Sequence, residues 1–214
     1  VENIELLSRY GSEEQGVQLD KLGGGAWQAK KARLKERILK IAEGLIRTAA
    51  ARELKPGDIL PPPEGAFDEF CARFPYEETE DQLTAIDAVI DDLQRGRPMD
   101  RLVCGDVGFG KTEVALRSAF VAAMNGKQVA VVVPTTLLSR QHFATFQARF
   151  KGLPLNIAQA SRMVARKDLE AVKEGLARGD IDIAVGTHAL LAEAIKFRDL
   201  GLPLIHEEQH FGVK

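Results

Sequence analysis

The sequence predicts an α/β fold in which helices cover both faces of a parallel sheet, with a long amphipathic helix ahead of it. Short apolar segments alternate with helical patterns from about residue 102 onward. A glycine-rich loop joins the first apolar segment to the first of these helices. Ahead of both, apolar residues recur with helical spacing over 26–53.

The composition is that of an ordinary globular chain of one or two domains. Of its 214 residues, 45% are hydrophobic and 28% are charged, which argues against a disordered chain. The formal net charge of -2 excludes a highly basic nucleic-acid-binding arm but not a local phosphate site. Two cysteines, Cys71 and Cys104, are too few for a disulfide scaffold or a zinc site. This cysteine usage predicts a cytoplasmic protein, because the cytosol is a reducing compartment. No apolar run is long enough to span a membrane, so we expect no membrane partner.

Breaks in the pattern divide the chain into three predicted regions. Gly23–Gly25 ends the first region, 1–25. The second, 26–63, begins with a helix and closes at Pro61–Pro63. That helix either packs on a neighbouring domain or connects two domains as a mobile segment. The third region, 64–214, contains the sheet. The stripe of the helix consists of Trp27, Leu34, Ile38, Ile41, Leu45 and Ala49.

The third region opens with two helices. The first carries Phe67, Phe70 and Phe74, and the second spans 79–93 and starts with the spacing of a capping box. The predicted strands are 102–104, 128–133, 155–158, 181–185 and 202–205. Of the helices between them, the first ends at about 124, and the next two span 137–150 and 167–177.

The glycine-rich loop predicts a site for a nucleoside triphosphate. Glycine lets backbone N–H groups approach phosphate oxygens, and the N-terminus of the following helix adds its dipole. We predict that Lys111 neutralises the outer phosphates and that the Thr112 hydroxyl holds Mg²⁺. A tight strand-to-helix turn without a ligand is the alternative. The complete match to G-x-x-x-x-G-K-[ST] consists of Gly105, Asp106, Val107, Gly108, Phe109, Gly110, Lys111 and Thr112.

Residues ahead of the loop predict that the nucleotide is ATP. An amide such as that of Gln82 pairs with the N6/N7 edge of adenine, and Phe74 or Tyr76 offers a ring for stacking. The alternative is that Thr79 and Gln82 only form the capping box.

Hydroxyl groups follow two of the predicted strands. Thr135 and Thr136 come after 128–133, and Thr187 comes after 181–185. Hydroxyl and N–H groups at helix starts suit a nucleic-acid phosphate, although threonine is also an ordinary helix-start residue. Arg162 either adds a charge to this set or is a solvated surface side chain.

Two carboxylates, Glu207 and Glu208, follow the last predicted strand. In phosphate-loop enzymes, carboxylates at this position hold Mg²⁺ and orient water. The alternative is surface charge.

The order of these pieces resembles the first motor lobe, a RecA-like P-loop NTPase lobe, of superfamily 2 helicases and translocases. More narrowly, it resembles the bacterial transcription-repair coupling factors. The loop and its flanks are shared with branch-migration helicases, whereas the Leu-Gly-Gly-Gly-Ala-Trp segment at 22–27 favours the coupling factors. The resemblance rests on 19–27, 74–82, 99–115, 133–138, 186–188 and 207–213.

This resemblance implies a fragment of a longer protein. Residues 1–25 would be the tail of a polymerase-interacting barrel, 26–63 a linker helix with its proline-rich break, and 64–214 the first motor lobe. The family moves on double-stranded DNA at the expense of ATP, displaces stalled RNA polymerase and recruits excision-repair proteins. The rival hypotheses are a branch-migration helicase fragment and a non-hydrolysing protein-interaction module.

The resemblance also implies roles for individual residues. Gln82 and Phe74 would read adenine, Lys111 and Thr112 would serve the phosphates and Mg²⁺, and Glu207 would activate water. The residues implied to face DNA are Thr135, Thr136, Arg162 and Thr187.

Two residues depart from the family pattern. His206 stands where the family has Asp, and a neutral imidazole is a poor ligand for Mg²⁺. Pro203 lies inside a predicted strand, although proline lacks the N–H of a strand ladder. We therefore expect the isolated chain to bind ATP and to hydrolyse it very slowly.

Overall fold

The computed structural model describes residues 24–161 and 166–206, which form two compact units that divide between Glu53 and Leu54. The described part of the first unit is helix α1, Gly25–Leu54, and none of its described residues is buried. The predicted helix over 26–53 is thus present, whereas the boundaries at 25 and 63 remain predictions. The stripe residues Leu34, Ile38, Ile41 and Leu45 are each more than half exposed.

The second unit is a parallel sheet between helices. Its four strands are ordered β2-β3-β1-β4, and every neighbouring pair is parallel. This architecture, with a long helix ahead of it, confirms the predicted fold class. Its elements are α2 (Ala66–Ala72), α3 (Glu80–Gln94), α4 (Lys111–Met124), β1 (Gln128–Val132), α5 (Thr136–Arg149), β2 (Ile157–Ala160), α6 (Arg166–Arg178), β3 (Ile183–Gly186), a 3-10 turn (His188–Leu191) and β4 (Leu200–Ile205).

Strand β1 lies inside the sheet because its β-branched run is apolar on both sides. Every residue of the strand is buried. Val129 and Val131 pack with residues of α3, α4 and α5, whereas Val132 packs on the other face with Leu176 of α6. Helices therefore cover both faces, as the continuous apolar pattern predicts.

Aromatic rings join the first helices to the sheet. Phe70 of α2 stacks on Phe120 of α4, with ring centroids 4.3 Å apart, and both side chains are at most 1% exposed. Phe150, directly after α5, packs against Phe70 at 5.1 Å. Burying a side chain of this size stabilises the fold by about 1.5–3 kcal/mol. These contacts fix α4, and hence the loop before it, against the sheet.

The predicted strand at 102–104 is absent, and this expectation is corrected. Leu102 is 72% exposed, and the backbone over 101–106 has neither helix nor strand. The free edge of β4 explains the difference. The backbone N–H of His206 donates to Val132 O of β1. In a parallel strand, every second residue directs its backbone groups towards the same neighbouring strand. The backbone nitrogen of Pro203 therefore lies on the side of β4 that is away from β1. Without an N–H, Pro203 weakens the edge on which a further strand would pair.

The start of β2 is also later than predicted, at Ile157 instead of Leu155. The N–H of Asn156 donates to the Asp182 carboxylate at 2.7 Å, which ends the preceding loop with a side-chain bond. Among the described residues, no helix has the length and apolar character needed to cross a bilayer.

Candidate nucleotide-binding site

The glycine-rich loop lies directly before α4 and depends on glycine at two positions. Gly108 and Gly110 have φ of 87° and 74°, a region in which other residues are strained. A β-carbon on Gly110 would also lie 2.4 Å from Gln82 Nε2. At the tip of the loop, Val107 is 97% exposed and Phe109 is 63% exposed. The loop therefore faces solvent in the conformation that its glycines permit.

Lys111, the first residue of α4, turns its ammonium group back over the loop. Its Nζ donates to the carbonyl oxygens of Gly105 and Asp106, the latter at 2.8 Å. Its side chain also passes across Gly105, with Cγ 3.6 Å from where a β-carbon would stand. The cation is thus held at the loop by weak acceptors, which anionic phosphate oxygens can replace.

The predicted capping box at the start of α3 is confirmed and includes a contact with the loop. The Thr79 hydroxyl accepts from Gln82 N, and Thr79 N donates to Gln82 Oε1 at 3.0 Å. In addition, Gln82 Nε2 donates to Phe109 O at 2.9 Å. The amide that the sequence assigns to adenine therefore joins α3 to the phosphate loop.

Phe74 and Tyr76 lie in the segment that leads into α3. Their rings meet edge to face with centroids 5.5 Å apart. Tyr76 is 74% exposed and Phe74 is half-buried. The structure thus brings an aromatic pair and Gln82 into one short segment.

Four charged side chains form the α4 ion network, which consists of the partly exposed Glu78 and the largely buried Glu113, Arg117 and Arg149. Arg117 donates through Nε to Glu113 at 2.8 Å and through its other arm to Glu78. Arg149 donates to the same Glu113 oxygen at 2.9 Å. The guanidinium of Arg149 also lies over the Phe70 ring, 4.1 Å from its centroid. Two cations therefore balance two carboxylates beneath the loop.

The carboxyl ends of neighbouring strands β1 and β3 bring the predicted DNA-facing residues to one edge of the sheet. Thr135 is the exposed N-cap of α5, and its hydroxyl accepts from Leu138 N at 3.2 Å. Thr136 follows it and is half-buried, whereas Thr187 is only 6% exposed. Arg162 lies outside the described residues.

His206 follows β4 at this same edge. Its ring packs against that of His142, with centroids 4.3 Å apart. Burial, the His142 ring and the Lys111 ammonium lower the pKa of His206 from 6.5 to about 4. The imidazole is therefore neutral at physiological pH.

The described residues do not supply a complete site for Mg²⁺. Thr112 offers one hydroxyl from the first turn of α4, but the position after β4 carries an imidazole, whereas Mg²⁺ prefers oxygen ligands. Over 24–161 and 166–206 there is no cluster of three or more His, Cys, Asp or Glu side chains that could hold a metal ion. Glu207 and Glu208 lie outside the described residues.

Comparison with known proteins identifies the family. The family described as DEAD/DEAH box helicase matches residues 79–213. The chain belongs to the DEAD/DEAH box helicase family. Within this helicase family, the chain is 52% identical over 217 residues to the transcription-repair-coupling factor of Rickettsia bellii and 47% identical over 214 residues to that of Bacillus subtilis. These alignments cover 100% of the chain but 19% and 18% of the two relatives, so the chain spans about a fifth of their length.

A solved structure supports the same assignment for the fold. The structure of RecG bound to a three-way DNA junction matches this helicase chain with a TM-score of 0.71 and 30% identity. The match covers 83% of this chain and 25% of that chain. The assignment to helicase motor lobes therefore rests on both sequence and backbone geometry.

The sequence prediction missed the α4 ion network of this helicase chain. A signal was present, because Glu113 and Arg117 lie four residues apart in a helix that is otherwise rich in alanine, valine and leucine. Nothing in the sequence indicated that Glu78 and Arg149 would join them, since these lie on distant segments.

Proposed function

We propose that this chain is the ATP-binding first motor lobe of a DNA translocase. The observation that supports the proposal is the bond from Gln82 Nε2 to Phe109 O, because it joins the amide that we propose reads adenine to the loop that we propose binds phosphate. In one short region, the chain thus holds groups suited to both ends of a nucleotide.

Adenine recognition uses the hydrogen-bonding capacity that Gln82 retains. Its Nε2 has a second hydrogen, and its Oε1 has a second lone pair, after the bonds to Phe109 O and Thr79 N are counted. These two sites suit N7 and the N6 amino group of adenine. Guanine presents an acceptor in place of the N6 donor, so this amide favours ATP over GTP. Phe74 supplies a ring on which the base stacks.

Phosphate binding uses the ammonium group of Lys111 and the N–H groups of the loop. When a triphosphate enters, Lys111 exchanges the Gly105 and Asp106 carbonyls for charged oxygens, which are stronger acceptors. The N-terminus of α4 adds a favourable dipole at the same place. Thr112 lies in this first turn, where its hydroxyl would meet a metal that accompanies the nucleotide.

Turnover by the chain alone is expected to be very slow. Glu207 is the residue that the resemblance assigns to water activation, and His206 directly before it is a neutral imidazole in place of a carboxylate. Because the chain also spans only about a fifth of the length of its relatives, we assign nucleotide binding to this chain and efficient hydrolysis to the longer protein.

DNA contact is proposed at the carboxyl edge of β1 and β3. The Thr135 hydroxyl is exposed, and it can still donate its hydrogen to a phosphate after accepting from Leu138 N. Thr136 adds a second hydroxyl beside it. Thr187 is buried, so its proposed contact is through backbone groups, and Arg162 is proposed to add a charge.

In the longer protein, we propose that this lobe uses ATP to move on double-stranded DNA, displaces stalled RNA polymerase and couples transcription to excision repair. The similarity of about half of all aligned residues to transcription-repair-coupling factors supports this role. The lower identity of 30% to RecG makes a branch-migration helicase the second choice.

Equilibrium titration with a fluorescent adenine nucleotide tests the proposal. Lys111→Ala should weaken binding about 10- to 150-fold, because a charged hydrogen bond contributes about 1.5–3 kcal/mol. Lys151→Ala, which removes an exposed lysine after α5, is the matched control and should bind like the native chain. Equal affinities of the native chain and Lys111→Ala would refute the proposal.

A further inference from the structure

We propose that Arg117 is a positioning residue for adenine recognition, which acts by holding the segment 74–82 beside the phosphate loop. This inference rests on the proposed function, because it deepens the adenine half of that site. Arg117 belongs to α4, the helix that begins with Lys111.

The segment before α3 needs side-chain contacts to fix its position. Residues 74–79 have neither helix nor strand. Two bonds join the segment and the start of α3 to the phosphate-binding part of the chain. One is the bond from Gln82 to Phe109 O at 2.9 Å, and the other is the ion pair of Arg117 with Glu78. Arg117 therefore anchors the segment from the helix side while Gln82 anchors it from the loop side.

Arg117 also contacts the aromatic ring that is proposed to stack on the base. Its guanidinium carbon lies over the Phe74 ring, 5.7 Å from the centroid, within the range of a cation–π contact. Tyr76 meets the same ring edge-on. Arg117 thus contacts both the Glu78 carboxylate and the Phe74 ring, which is proposed to stack on the base.

The burial of Arg117 and the partners of its carboxylates indicate which contacts the removal of Arg117 would disturb. The Arg117 side chain is only 4% exposed, and a guanidinium buried to this degree requires carboxylate partners. Glu113 keeps a second partner in Arg149, whereas Glu78 is 25% exposed and can turn towards water. The hydrogen bond from Arg117 lowers the pKa of the Glu78 carboxyl, as expected for an intact ion pair. Removing Arg117 should therefore release Glu78 and the adenine segment more than it disturbs the phosphate loop.

Two variants and two ligands test the proposal. Arg117→Met removes the cation at similar length, and Glu78→Gln removes the partner charge at a partly exposed position, where misfolding is less of a risk. ATP and inorganic triphosphate are each titrated against a bound fluorescent adenine nucleotide, which they displace. The dissociation constant of triphosphate divided by that of ATP then measures how much adenosine contributes to binding. We expect this ratio to fall about tenfold in Arg117→Met and about threefold in Glu78→Gln, as partial loss of stacking and amide contacts predicts. Affinity for triphosphate should stay within about twofold of the native value.

A matched control separates positioning from general stability. Lys127 also bridges two carboxylates, those of Asp58 at 3.0 Å and Asp199 at 2.9 Å, and its side chain is 18% exposed. Lys127→Met should therefore lower the thermal midpoint without changing the ratio. Hydrogen exchange of the nucleotide-free chains should show faster exchange over 74–79 in Arg117→Met and Glu78→Gln, but not in Lys127→Met.

The outcomes separate this inference from the function on which it rests. A native chain that binds neither ATP nor triphosphate overturns both. A native chain that binds ATP, with variants whose ratio is unchanged or whose affinities for both ligands fall equally, overturns the role of Arg117 alone.

Discussion

Mild acid should destabilise this chain through His206. The imidazole packs on His142 after β4, and its surroundings lower its pKa to about 4. Between this value and 6.5, the unfolded chain binds a proton that the folded chain does not bind. Stability therefore falls as the pH falls through this window, and it is fully recovered above about pH 7.

The size of the effect follows from the two pKa values. With 6.5 for the unfolded chain and about 4 for the folded chain, linkage gives a loss of about 2 kcal/mol between pH 7.5 and pH 5.0. The carboxylates of Glu78 and Asp92 contribute little to the difference at pH 5.0. The pKa values of Glu78 and Asp92 are lowered, so their stabilising contribution is lost mainly below their ordinary values of 4.5 and 3.8.

Urea denaturation at pH 7.5 and pH 5.0 measures this loss. The native chain should lose about 2 kcal/mol more than His206→Gln, which keeps a polar side chain but does not titrate. His188→Gln removes an exposed histidine and should behave like the native chain. If the native chain and His206→Gln lose the same free energy, the assignment of a buried, neutral imidazole to His206 is wrong.

Two further substitutions examine the nucleotide site. Gly110→Ala should weaken binding of a fluorescent adenine nucleotide more than tenfold, because its β-carbon would displace the Gln82 amide from Phe109 O. Gly126→Ala, with a similar φ of 76° and open space around it, should leave binding unchanged. The reasoning fails if the two alanine variants bind alike. His206→Asp should increase the dependence of ATP affinity on Mg²⁺, because a carboxylate supplies the oxygen ligand that the imidazole does not supply. Titration of ATP in the presence of Mg²⁺ and in the presence of a chelator measures this dependence. An identical response to Mg²⁺ in the native chain and His206→Asp would contradict this account of the site.

The elements that the sequence predicted well are those whose local chemistry agrees with their packing. The capping box at Thr79 and Gln82 set the start of α3 without tertiary information. The β-branched run over 128–133 predicted β1, because a strand in the middle of a parallel sheet is apolar on both faces. In the site, Gly108 and Gly110 of the glycine pattern adopt a positive φ, which glycine permits without strain.

The features that escaped prediction depend on neighbours that are distant along the chain. Leu102–Cys104 is apolar enough for a strand, but its pairing depends on the edge of β4, nearly one hundred residues later. The α4 ion network escaped prediction for the same reason, since Arg117 pairs with Glu78, and Glu113 pairs with Arg149, from distant segments. Local periodicity reports which face of an element is apolar, but it does not report which charged side chains will meet.

The two departures from the family pattern, His206 and Pro203, share one strand, and the ladder with β1 accounts for both. The backbone N–H of His206 donates to Val132 O, so the strand continues whichever side chain stands at this position. Pro203 lies on the alternate set, which faces away from β1, so its missing N–H removes no bond to that strand. The β1–β4 pairing therefore tolerates both residues, and their effects lie outside this pairing. Pro203 affects the outer edge where 102–104 does not pair, and His206 affects the chemistry at the end of the strand. Because the β1–β4 pairing does not depend on the side chain at position 206, His206→Asp should alter the response to Mg²⁺ while this pairing stays intact.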